Sequence, residues 1–460
     1  MEQMIPRLVI AGSGSGCGKT TVTCAVLQAL VNRKLRVGAF KCGPDYIDPM
    51  FHSRIIGARS ANLDLFFFSE NTLNYLLVKN GADRDISIVE GVMGFYDGTG
   101  MTTAASTYAV AKATQSPVIL VVDARGASLS LLATIAGFLD FCPDSRICGV
   151  ILNRCSSMTY ACLAKEIVHC FSGRVRPLGF LPPLPECTLA SRHLGLVTAA
   201  EVADLRRKMQ LLANQAEQTI DLNSIQTIAA ETTPVSCSAV TFPRRQEGVR
   251  IAIARDSAFC FCYEDSLDAL REQGAELVEF SPINDRELPA DIHGLYLCGG
   301  YPELYAEELS GNSTMRMCIR RALCGGLPCI AECGGFMYLT EDIGGMPMVG
   351  FLPGNCFDTG RLSRFGYVTL RAQRDTMLAN RGETICGHEF HRWDCRDTGC
   401  SFTAEKVSGK CWPCIHGSNH LYAGFPHFHF YANPNFALRF YDACLKEKHR
   451  YGRTDQTYGY

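Results

Sequence analysis

The first half of the chain alternates short apolar runs with longer segments of mixed polarity. The apolar runs are rich in Val and Ile and lack regular alternation with polar residues, which is typical of parallel strands buried on both faces. They are Leu8–Ala11, Val37–Phe40, Ile86–Val89, Val118–Val122 and Gly149–Leu152. Segments of helical length separate them, among them Lys19–Asn32, Ala104–Thr114 and Leu129–Leu139. This pattern predicts an α/β fold built on a parallel sheet.

The second half repeats the pattern after an irregular stretch. Leu222–Gly248 is rich in Thr, Ser, Pro and charge and shows little periodicity, so it predicts an interdomain linker. A strand is predicted to begin at Val249 and a helix near Glu264. Further strands are predicted at Glu276–Phe280, Gly294–Cys298 and Pro328–Ala331. We therefore predict a domain at residues 1–221, a linker at 222–248 and a second α/β domain at 249–460, with a β-rich tail.

Composition excludes several classes of protein. With 460 residues, of which 47% are apolar, the chain can bury sizeable cores, so general disorder is excluded. The net charge of −2 provides no field of one sign for holding nucleic acid. No run approaches the roughly 18 apolar residues of a spanning helix, and the N-terminus lacks a signal-peptide pattern. The 24 cysteines are too dispersed for a small disulfide scaffold. We expect a soluble, cytoplasmic protein with mostly reduced thiols that binds neither nucleic acid nor membrane.

A glycine-rich loop lies between the first predicted strand and the first predicted helix. Residues 12–21 read GSGSGCGKTT, one residue longer than the strict phosphate-loop spacing. Glycines let backbone N–H groups face phosphates, and the helix N-terminus adds partial positive charge. A glycine-rich turn that only caps a helix is the alternative. The residues predicted to bind nucleotide are Gly14, Gly16, Gly18, Lys19, Thr20 and Thr21, with the Thr20 hydroxyl available to Mg²⁺.

Carboxylates follow the second and third predicted strands. Asp45 and Asp48 come after one strand, Glu90 ends the next, and Asp97 follows in a glycine-rich loop. The carboxyl ends of parallel strands converge where ligands bind. Any one of these carboxylates, taken alone, is also typical of a loop or capping residue. Together with the glycine loop, Asp48 and Glu90 favour a magnesium site that includes Thr20.

A cysteine in the second half has the setting of a nucleophile. An apolar strand leads into Glu332-Cys333-Gly334-Gly335 and then into a helical segment, which predicts a tight turn at Cys333. We expect the helix N-terminus to lower the pKa of this thiol. His427 and His429 would share one face of a strand and supply a base, and the glycine turn at Gly299-Gly300 would supply oxyanion donors. A buried, inert thiol is the alternative.

With these motifs, the sequence resembles the cobyrinate a,c-diamide synthase family over nearly its whole length. The motifs that carry the resemblance are GSGSGCGKTT (12–21), FKCGPDYID (40–48), VEGVMGFYDG (89–98), VILNR (150–154), RHLGL (192–196), FSPINDRELP (280–289), GGYPELYA (299–306), AECGGFMYL (331–339), RFGYVTL (364–370) and GHEFH (387–391).

The resemblance implies an N-terminal domain like dethiobiotin synthetase and a C-terminal class I glutamine amidotransferase domain. The implied partners are ATP, Mg²⁺, L-glutamine and cobyrinic acid, whose a and c acetates become amides by way of acyl phosphates. Each amidation would use one ATP and one ammonia.

The resemblance also implies roles for individual residues. The metal would be held by Thr20, Asp48 and Glu90; the substrate by Asp45, Tyr46 and Asp97; the adenine by Asn153 with Leu181 and Pro182. Cys333 would attack glutamine, His427 would act as base, and Gly300 and Gly334 would stabilise the oxyanion. In many amidotransferases a carboxylate lies two positions after the base, but here that position is His429, so the group that orients His427 is not identified.

The sequence leaves several alternatives open. The same chemistry on a related tetrapyrrole, such as nickel sirohydrochlorin or a sirohaem-type macrocycle, fits the same motifs. A nucleotide switch or partner-binding protein with an inactive amidotransferase domain is a third reading, against which intact Lys19, Thr20, Glu90 and Cys333 argue. Structural roles are expected for Cys411 and Cys414, with a redox or metal site as the alternative, and for His388 and His391, with substrate contact as the alternative. The sequence does not decide between a monomer and a homodimer.

Overall fold

The structure is a computed structural model that describes residues 1–187 and 199–457. The chain divides into two compact units, unit 1 at Met1–Val240 and unit 2 at Thr241–Tyr460. The RHLGL motif at 192–196 lies outside the described residues. Across the two described ranges, none of the helices combines the length and apolarity that a membrane span requires.

Unit 1 is built on a parallel sheet of seven strands in the order β4-β3-β5-β2-β6-β7-β8. The strands of unit 1 are β1 (Glu2–Gln3), β2 (Arg7–Gly12), β3 (Val37–Cys42), β4 (Arg59–Leu63), β5 (Ile86–Glu90), β6 (Val118–Asp123), β7 (Ile147–Asn153), β8 (Arg176–Leu181) and β9 (Val235–Ser236). The short strands β1 and β9 pair antiparallel with each other, outside the main sheet. The central strands are buried on both faces, which explains their unbroken apolar sequence.

Helices connect the strands of unit 1 and cover the sheet. They are α1 (Lys19–Asn32), α2 (Ile47–Phe51), α3 (Glu70–Gly81), α4 (Thr107–Ala113), α5 (Ser130–Phe141), α6 (Ser157–Phe171), α7 (Ala199–Thr219) and α8 (Leu222–Ala230), with one π-helical turn at His52–Ile56 and a 3-10 turn at Pro185–Cys187. Three of them begin after a serine, Ser69, Ser106 or Ser156, whose hydroxyl accepts a hydrogen bond from an N–H of the first turn. Helix α1 is buried on nearly all sides because it lies in the main apolar core of the unit.

The segment predicted to be a linker is not uniformly irregular. Residues 222–230 form helix α8, capped by the Asp221 side chain, and Leu222, Ile225 and Ile228 join the core of unit 1. The spacing of these three residues places them on one helix face. The compact units divide at residues 240 and 241. The predicted domain boundaries at 221 and 249 therefore stay a prediction, while the first third of the predicted linker packs as part of unit 1.

Unit 2 contains a central six-stranded sheet in the order β12-β10-β13-β15-β25-β24 and a five-stranded sheet in the order β23-β22-β19-β20-β26. Its strands are β10 (Val249–Ala254), β11 (Phe259–Phe261), β12 (Ala275–Phe280), β13 (Gly294–Leu297), β14 (Gly299–Gly300), β15 (Cys329–Glu332), β16 (Asp342–Ile343), β17 (Met346–Pro347), β18 (Asn355–Asp358), β19 (Arg364–Ala372), β20 (Thr384–His391), β21 (Trp393–Cys395), β22 (Phe402–Glu405), β23 (Cys411–Cys414), β24 (His416–Gly417), β25 (Leu421–Gly424) and β26 (His427–Phe428).

The helices of unit 2 are short, apart from the last. They are α9 (Glu264–Gln273), α10 (Ala306–Gly311), α11 (Ser313–Cys324), α12 (Gly334–Leu339) and α13 (Pro434–Thr457), with 3-10 turns at Pro302–Tyr305 and Phe430–Ala432. Strands β12, β10, β13, β15 and β25 run parallel, and the edge strand β24 is antiparallel. The predicted α/β class with a parallel sheet is confirmed, and the predicted β-rich tail is the five-stranded sheet.

One disulfide corrects the expectation about thiols. The sequence predicted that cysteines other than Cys333 are mostly reduced, but Cys262 and Cys298 are bridged. The remaining cysteines of the described residues carry thiols and are not bridged. Cys411 is exposed and Cys414 is buried on the same strand. Their three-residue spacing directs the two side chains to opposite faces of β23, so this C-x-x-C is not arranged as a dithiol pair.

Candidate active site

The glycine loop of unit 1 connects β2 to α1 and ends at Lys19. Gly16 and Gly18 adopt φ values of 78° and 86°, a region that favours glycine. A side chain at Gly18 would also clash with Asn153. The Lys19 ammonium donates to the Met93 carbonyl at 2.9 Å. Burial, followed by the nearby Lys41 charge, lowers the pKa of Lys19. The loop thus has the curled backbone and the lysine that a phosphate site needs.

Asn153 holds the glycine loop. It ends β7 as a buried residue, and its Nδ2 donates to the Cys17 carbonyl at 2.9 Å. The next residue, Arg154, donates to the Gly16 carbonyl at 3.0 Å and pairs with Asp123 at 2.6 Å. Two side chains at the end of β7 therefore hold the glycine loop through hydrogen bonds to its backbone carbonyls. Contact of Asn153 with adenine stays a prediction.

A cavity of about 440 Å³ opens beside these residues. It lies past the carboxyl ends of β6 and β7, where open parallel sheets bind ligands. Its lining includes Arg125, Ser128, Arg154, Ser156 and Pro183. The cavity is therefore large enough for a small organic group and is connected to the glycine loop through Arg154.

A buried charged cluster lies beneath the glycine loop. Glu90, at the end of β5, is fully buried, and its Oε1 accepts a hydrogen bond from the Thr20 hydroxyl at 2.6 Å. Lys41 Nζ lies 3.0 Å from the same carboxylate and 2.6 Å from Asp48. His52 Nε2 lies 3.1 Å from the other oxygen of Glu90. The structure thus brings together Thr20, Asp48 and Glu90, which the sequence had grouped as metal ligands.

Opposite charges keep Glu90 and Lys41 ionised. Burial alone would raise the pKa of Glu90, but Lys41 and then His52 hold it well below its usual value. Burial would lower the pKa of Lys41, and the Glu90 and Asp48 carboxylates raise it instead. Sequence reasoning missed Lys41 and His52. The signal for Lys41 was available, because a lysine inside the apolar strand VGAFKC needs a buried partner.

The donor set fits Mg²⁺ in the form that phosphate sites use. Among the described residues, no group of three or more His, Cys, Asp or Glu side chains is arranged to hold a metal ion. Magnesium at nucleotide sites commonly takes only one or two protein ligands, with phosphates and water completing its shell. Thr20 and Glu90, which are in contact at the helix start, meet that requirement. Asp48 is paired with Lys41, so its place as a ligand stays a prediction.

The residues predicted to meet substrate have local structural contacts. Asp45 Oδ1 accepts hydrogen bonds from the N–H groups of Ile47 and Asp48 at 2.7 and 3.2 Å, which caps α2. Burial, followed by repulsion from Asp48, raises the pKa of Asp45. Asp97 Oδ2 accepts the Gly94 N–H at 2.8 Å, and Tyr46 is buried. These contacts shape the loops next to the cluster; substrate contact by Asp45, Tyr46 and Asp97 stays a prediction.

In unit 2, Cys333 occupies a strained turn between β15 and α12. Its φ is 47° and its ψ is −102°, which is unusual for a residue with a side chain. A side chain at Gly335 would clash with the Leu297 carbonyl, so the turn passes directly against β13. The expected lowering of the thiol pKa is not found: burial and then the Glu303 carboxylate raise the pKa of Cys333. The thiol therefore needs a base to become a nucleophile.

The predicted base lies beside a carboxylate that sequence reasoning missed. His427 Nδ1 is 3.1 Å from Glu332 Oε2. The other oxygen of Glu332 accepts a hydrogen bond from the Tyr296 hydroxyl at 2.9 Å. All three side chains are almost completely buried. The His388 ring stacks on His427 with centroids 5.1 Å apart, and burial followed by His427 lowers the pKa of His388 well below its usual value. His388 therefore stays uncharged near neutral pH.

The glycine turn at β14 approaches both the His427 ring and the turn that follows Cys333. A Cβ added at Gly299 would press on the His427 ring, and one added at Gly334 would lie 3.0 Å from the Gly300 nitrogen. Gly300 itself has no room for a side chain because of the Ala258 carbonyl. The predicted oxyanion donors Gly300 and Gly334 are thus adjacent across the turn that follows Cys333.

His429 lies one residue beyond strand β26, which contains His427. Its Nδ1 accepts the Tyr431 N–H at 3.2 Å and caps the following 3-10 turn. Its ring packs on Tyr263 with centroids 4.7 Å apart. Strand β26 ends at Phe428, and the backbone at His429 is still extended, so the predicted common face of His427 and His429 stays a prediction. A catalytic role for His429 therefore stays a prediction that the contacts described here do not support.

The GHEFH segment forms part of β20 and packs around the site. His388 pairs in register with His427 across β20 and β26. The His391 ring lies parallel to Phe425 with centroids 4.0 Å apart. Glu389 is buried and accepts from Trp412 Nε1 at 3.2 Å. These contacts agree with the structural role predicted for His388 and His391.

Comparison with known proteins assigns each half of the chain. Residues 8–195 match the family described as the CobQ/CobB/MinD/ParA nucleotide binding domain. Residues 250–434 match the family described as the CobB/CobQ-like glutamine amidotransferase domain. The first match covers the glycine loop and its buried charged cluster, and the second covers Cys333 and His427.

Full-length relatives span both halves. A protein of Listeria innocua named cobyrinate a,c-diamide synthase is 39% identical over 450 residues, covering 95% of this chain and 99% of its own. Proteins of the same name from Salmonella typhimurium and Thermoplasma volcanium are 40% and 39% identical. The first covers 93% of this chain and 95% of its own, and the second 96% and 98%. The similarity therefore extends over at least 95% of the length of each of these relatives.

Proposed function

The chain belongs to the cobyrinate a,c-diamide synthase family, and we propose that it converts the a and c acetate carboxylates of cobyrinic acid into amides through acyl phosphates. It is a glutamine-dependent, ATP-driven amide ligase of cobalamin biosynthesis. A carboxylate is a poor electrophile because hydroxide or oxide would have to leave. Transfer of the γ-phosphoryl group from ATP to a carboxylate oxygen gives an acyl phosphate. Ammonia then attacks the carbonyl carbon and phosphate leaves.

Unit 1 supports the phosphoryl transfer. The loop N–H groups would face the phosphates, and the Lys19 ammonium would turn from the Met93 carbonyl to the outer phosphate oxygens. Magnesium, held by Thr20 and Glu90, would neutralise charge on the phosphates. The Lys41 ammonium pairs with Asp48 and Glu90, and its charge helps to hold the pKa of Glu90 well below its usual value. Catalysis of this step rests on positioning and charge, so these fixed cations and N–H groups are the relevant parts.

Unit 2 supports the release of ammonia. The Cys333 sulfur would attack the amide carbon of glutamine after passing its proton to His427. The oxyanion would be stabilised by the N–H groups of Gly300 and Gly334. The C–N bond breaks as ammonia leaves with a proton from His427, and water hydrolyses the thioester to glutamate. The net reaction is glutamine plus water to glutamate plus ammonia.

One observation carries the proposal: a single chain holds a strained cysteine turn beside a His427–Glu332 pair and, in its other unit, a phosphate loop above a buried Thr20–Glu90 contact. A nucleotide switch would have no use for the first arrangement. A glutaminase alone would have no use for the second. Coupled amidation uses both.

The test is a panel of tetrapyrroles incubated with ATP, Mg²⁺ and glutamine and analysed by mass spectrometry. The panel contains cobyrinic acid, nickel sirohydrochlorin and a sirohaem-type macrocycle. We expect two successive hydroxyl-to-amide changes on cobyrinic acid, at the a and c positions. Amidation of another macrocycle in preference to cobyrinic acid would replace the proposed substrate, and no ATP-dependent amidation would refute the function.

The cysteine variants separate the two half-reactions. Cys333→Ala should release no glutamate from glutamine and should still amidate with ammonium as the nitrogen source. Cys329→Ala is the matched control, because Cys329 is a second buried thiol on the same strand β15. It should retain glutaminase activity. Loss of ammonium-dependent amidation in Cys333→Ala would contradict the division of labour between the units.

A further inference from the structure

We propose that Glu332 orients His427 for glutamine hydrolysis, and that Tyr296 fixes Glu332 in place. This inference deepens the proposed function and rests on its glutaminase half-reaction. The position two residues after the base holds His429, which contacts Tyr263 and the Tyr431 N–H. The carboxylate that the reaction needs comes instead from the residue before the nucleophile.

The sheet order explains how Glu332 reaches the base. Strands β15 and β25 are neighbours in the central sheet, and Glu332 pairs in register with Gly424. His427 follows only three residues after Gly424, so the end of β25 brings the imidazole next to the end of β15. The Nδ1–Oε2 separation of 3.1 Å is within hydrogen-bonding range. The contact therefore follows from strand pairing between two buried strands.

The partners of Glu332 make it a suitable orienting group. It is only 1% exposed, and a buried carboxylate is costly unless donors surround it. The Tyr296 hydroxyl satisfies Oε1, which leaves Oε2 to accept from His427 Nδ1–H. That hydrogen bond selects the tautomer in which Nε2 carries no proton, and this nitrogen is the one able to accept the Cys333 proton. The Glu332 carboxylate would also stabilise the imidazolium that forms on His427.

The other groups around His427 do not replace Glu332. His388 stacks on the His427 ring, and burial followed by His427 lowers the pKa of His388, so His388 supplies no negative charge to His427. Glu389 is bonded to Trp412 and lies 3.3 Å from His391. Glu303 acts on the Cys333 thiol, whose pKa it raises, and so opposes formation of the thiolate. Among these carboxylates, Glu332 is the one within 3.1 Å of an imidazole nitrogen of His427.

The experiment measures glutamate release from glutamine by Glu332→Gln, Glu332→Asp and Tyr296→Phe in the full chain. Glu332→Gln keeps the shape but accepts less strongly, and we expect kcat to fall about 10³-fold with KM for glutamine unchanged. Glu332→Asp should recover part of that loss. Tyr296→Phe removes one hydrogen bond and should lower kcat about tenfold. Tyr441→Phe is the matched control, since its buried hydroxyl donates to the Glu247 carbonyl, and it should retain wild-type kcat.

The outcomes separate this inference from the function on which it rests. Wild-type kcat in Glu332→Gln, or a loss expressed only in KM, would overturn the inference. If Glu332→Gln does not fold, Tyr296→Phe decides: a kcat equal to that of Tyr441→Phe would overturn it. Ammonium-dependent amidation is measured on the same variants. If wild type failed in that assay, the proposed function would be wrong, while glutamate release would still test Glu332.

Discussion

Substitution of Gly299 by alanine tests the geometry around the base most directly. Gly299 lies in the short strand β14, and the position of its absent Cβ is only 2.3 Å from His427 Cε1. Ordinary contacts between carbon atoms lie near 3.5–4.0 Å. The imidazole must therefore move away by about 1 Å or more, or the backbone of the glycine turn must move instead.

Either movement removes part of the catalytic arrangement. If the ring moves, the 3.1 Å contact with Glu332 is lost, because Glu332 is held by Tyr296 and cannot follow. If the turn moves, the Gly300 N–H leaves the oxyanion position next to Gly334. A displacement of about 1 Å at a reacting group can cost about 100-fold in rate. We therefore expect glutaminase kcat/KM to fall by about that factor.

The assay compares Gly299→Ala with Gly311→Ala. Gly311 ends helix α10, and a Cβ there would meet nothing within 4 Å. Gly311→Ala should keep wild-type glutaminase activity, and both variants should amidate normally with ammonium. If Gly299→Ala hydrolysed glutamine at the wild-type rate, His427 would not occupy the position described here during catalysis.

Two further perturbations follow from the buried charges. Lys41→Met would leave two buried carboxylates without their cation. We therefore expect the free energy of unfolding to fall by about 3–5 kcal/mol and ATP-dependent activity to be lost. Lys112→Met is the control and should change neither quantity, because Lys112 forms an exposed pair with Asp144. Burial raises the pKa of Glu303 to about 7 from 4.5, so stability present at low pH is lost as the pH rises through that range. Glu303→Gln should make the free energy of unfolding less dependent on pH and should raise it by at most about 3 kcal/mol above pH 7. The free energy of unfolding is measured by chemical denaturation at several pH values. If its pH dependence were the same in the variant and in wild type, the raised pKa of Glu303 would be contradicted.

Local sequence patterns predicted most of unit 1, because its strands are buried on both faces and its helices have ordinary lengths. They missed β4, where RSANL carries an exposed arginine and too few apolar residues, and β8, where a proline interrupts the run. Helix α8 was missed because Thr and Ser obscured the spacing of Leu222, Ile225 and Ile228. Contacts such as Lys41–Glu90 depend on strand order, which no local pattern contains.

Glu90 and Glu332 share a local feature of the sequence, a glutamate that ends an apolar strand, but only Glu90 was predicted to belong to a site. Each is the last residue of a central parallel strand, and each strand is buried along its whole length. A glutamate in that position cannot remain ionised without a partner, because desolvation would raise its pKa. Glu90 was predicted to bind metal because it ends a strand at the edge where ligands bind, and its partners in the structure are Thr20, Lys41 and His52.

Applied to Glu332, the same reasoning requires donors from strands beside β15. The neighbours of β15 are β13 and β25, which deliver Tyr296 and, three residues after Gly424, His427. A buried glutamate at the end of a central strand thus predicts a partner from each adjacent strand. In unit 2 the glutamate is Glu332, and its two partners are Tyr296 and His427.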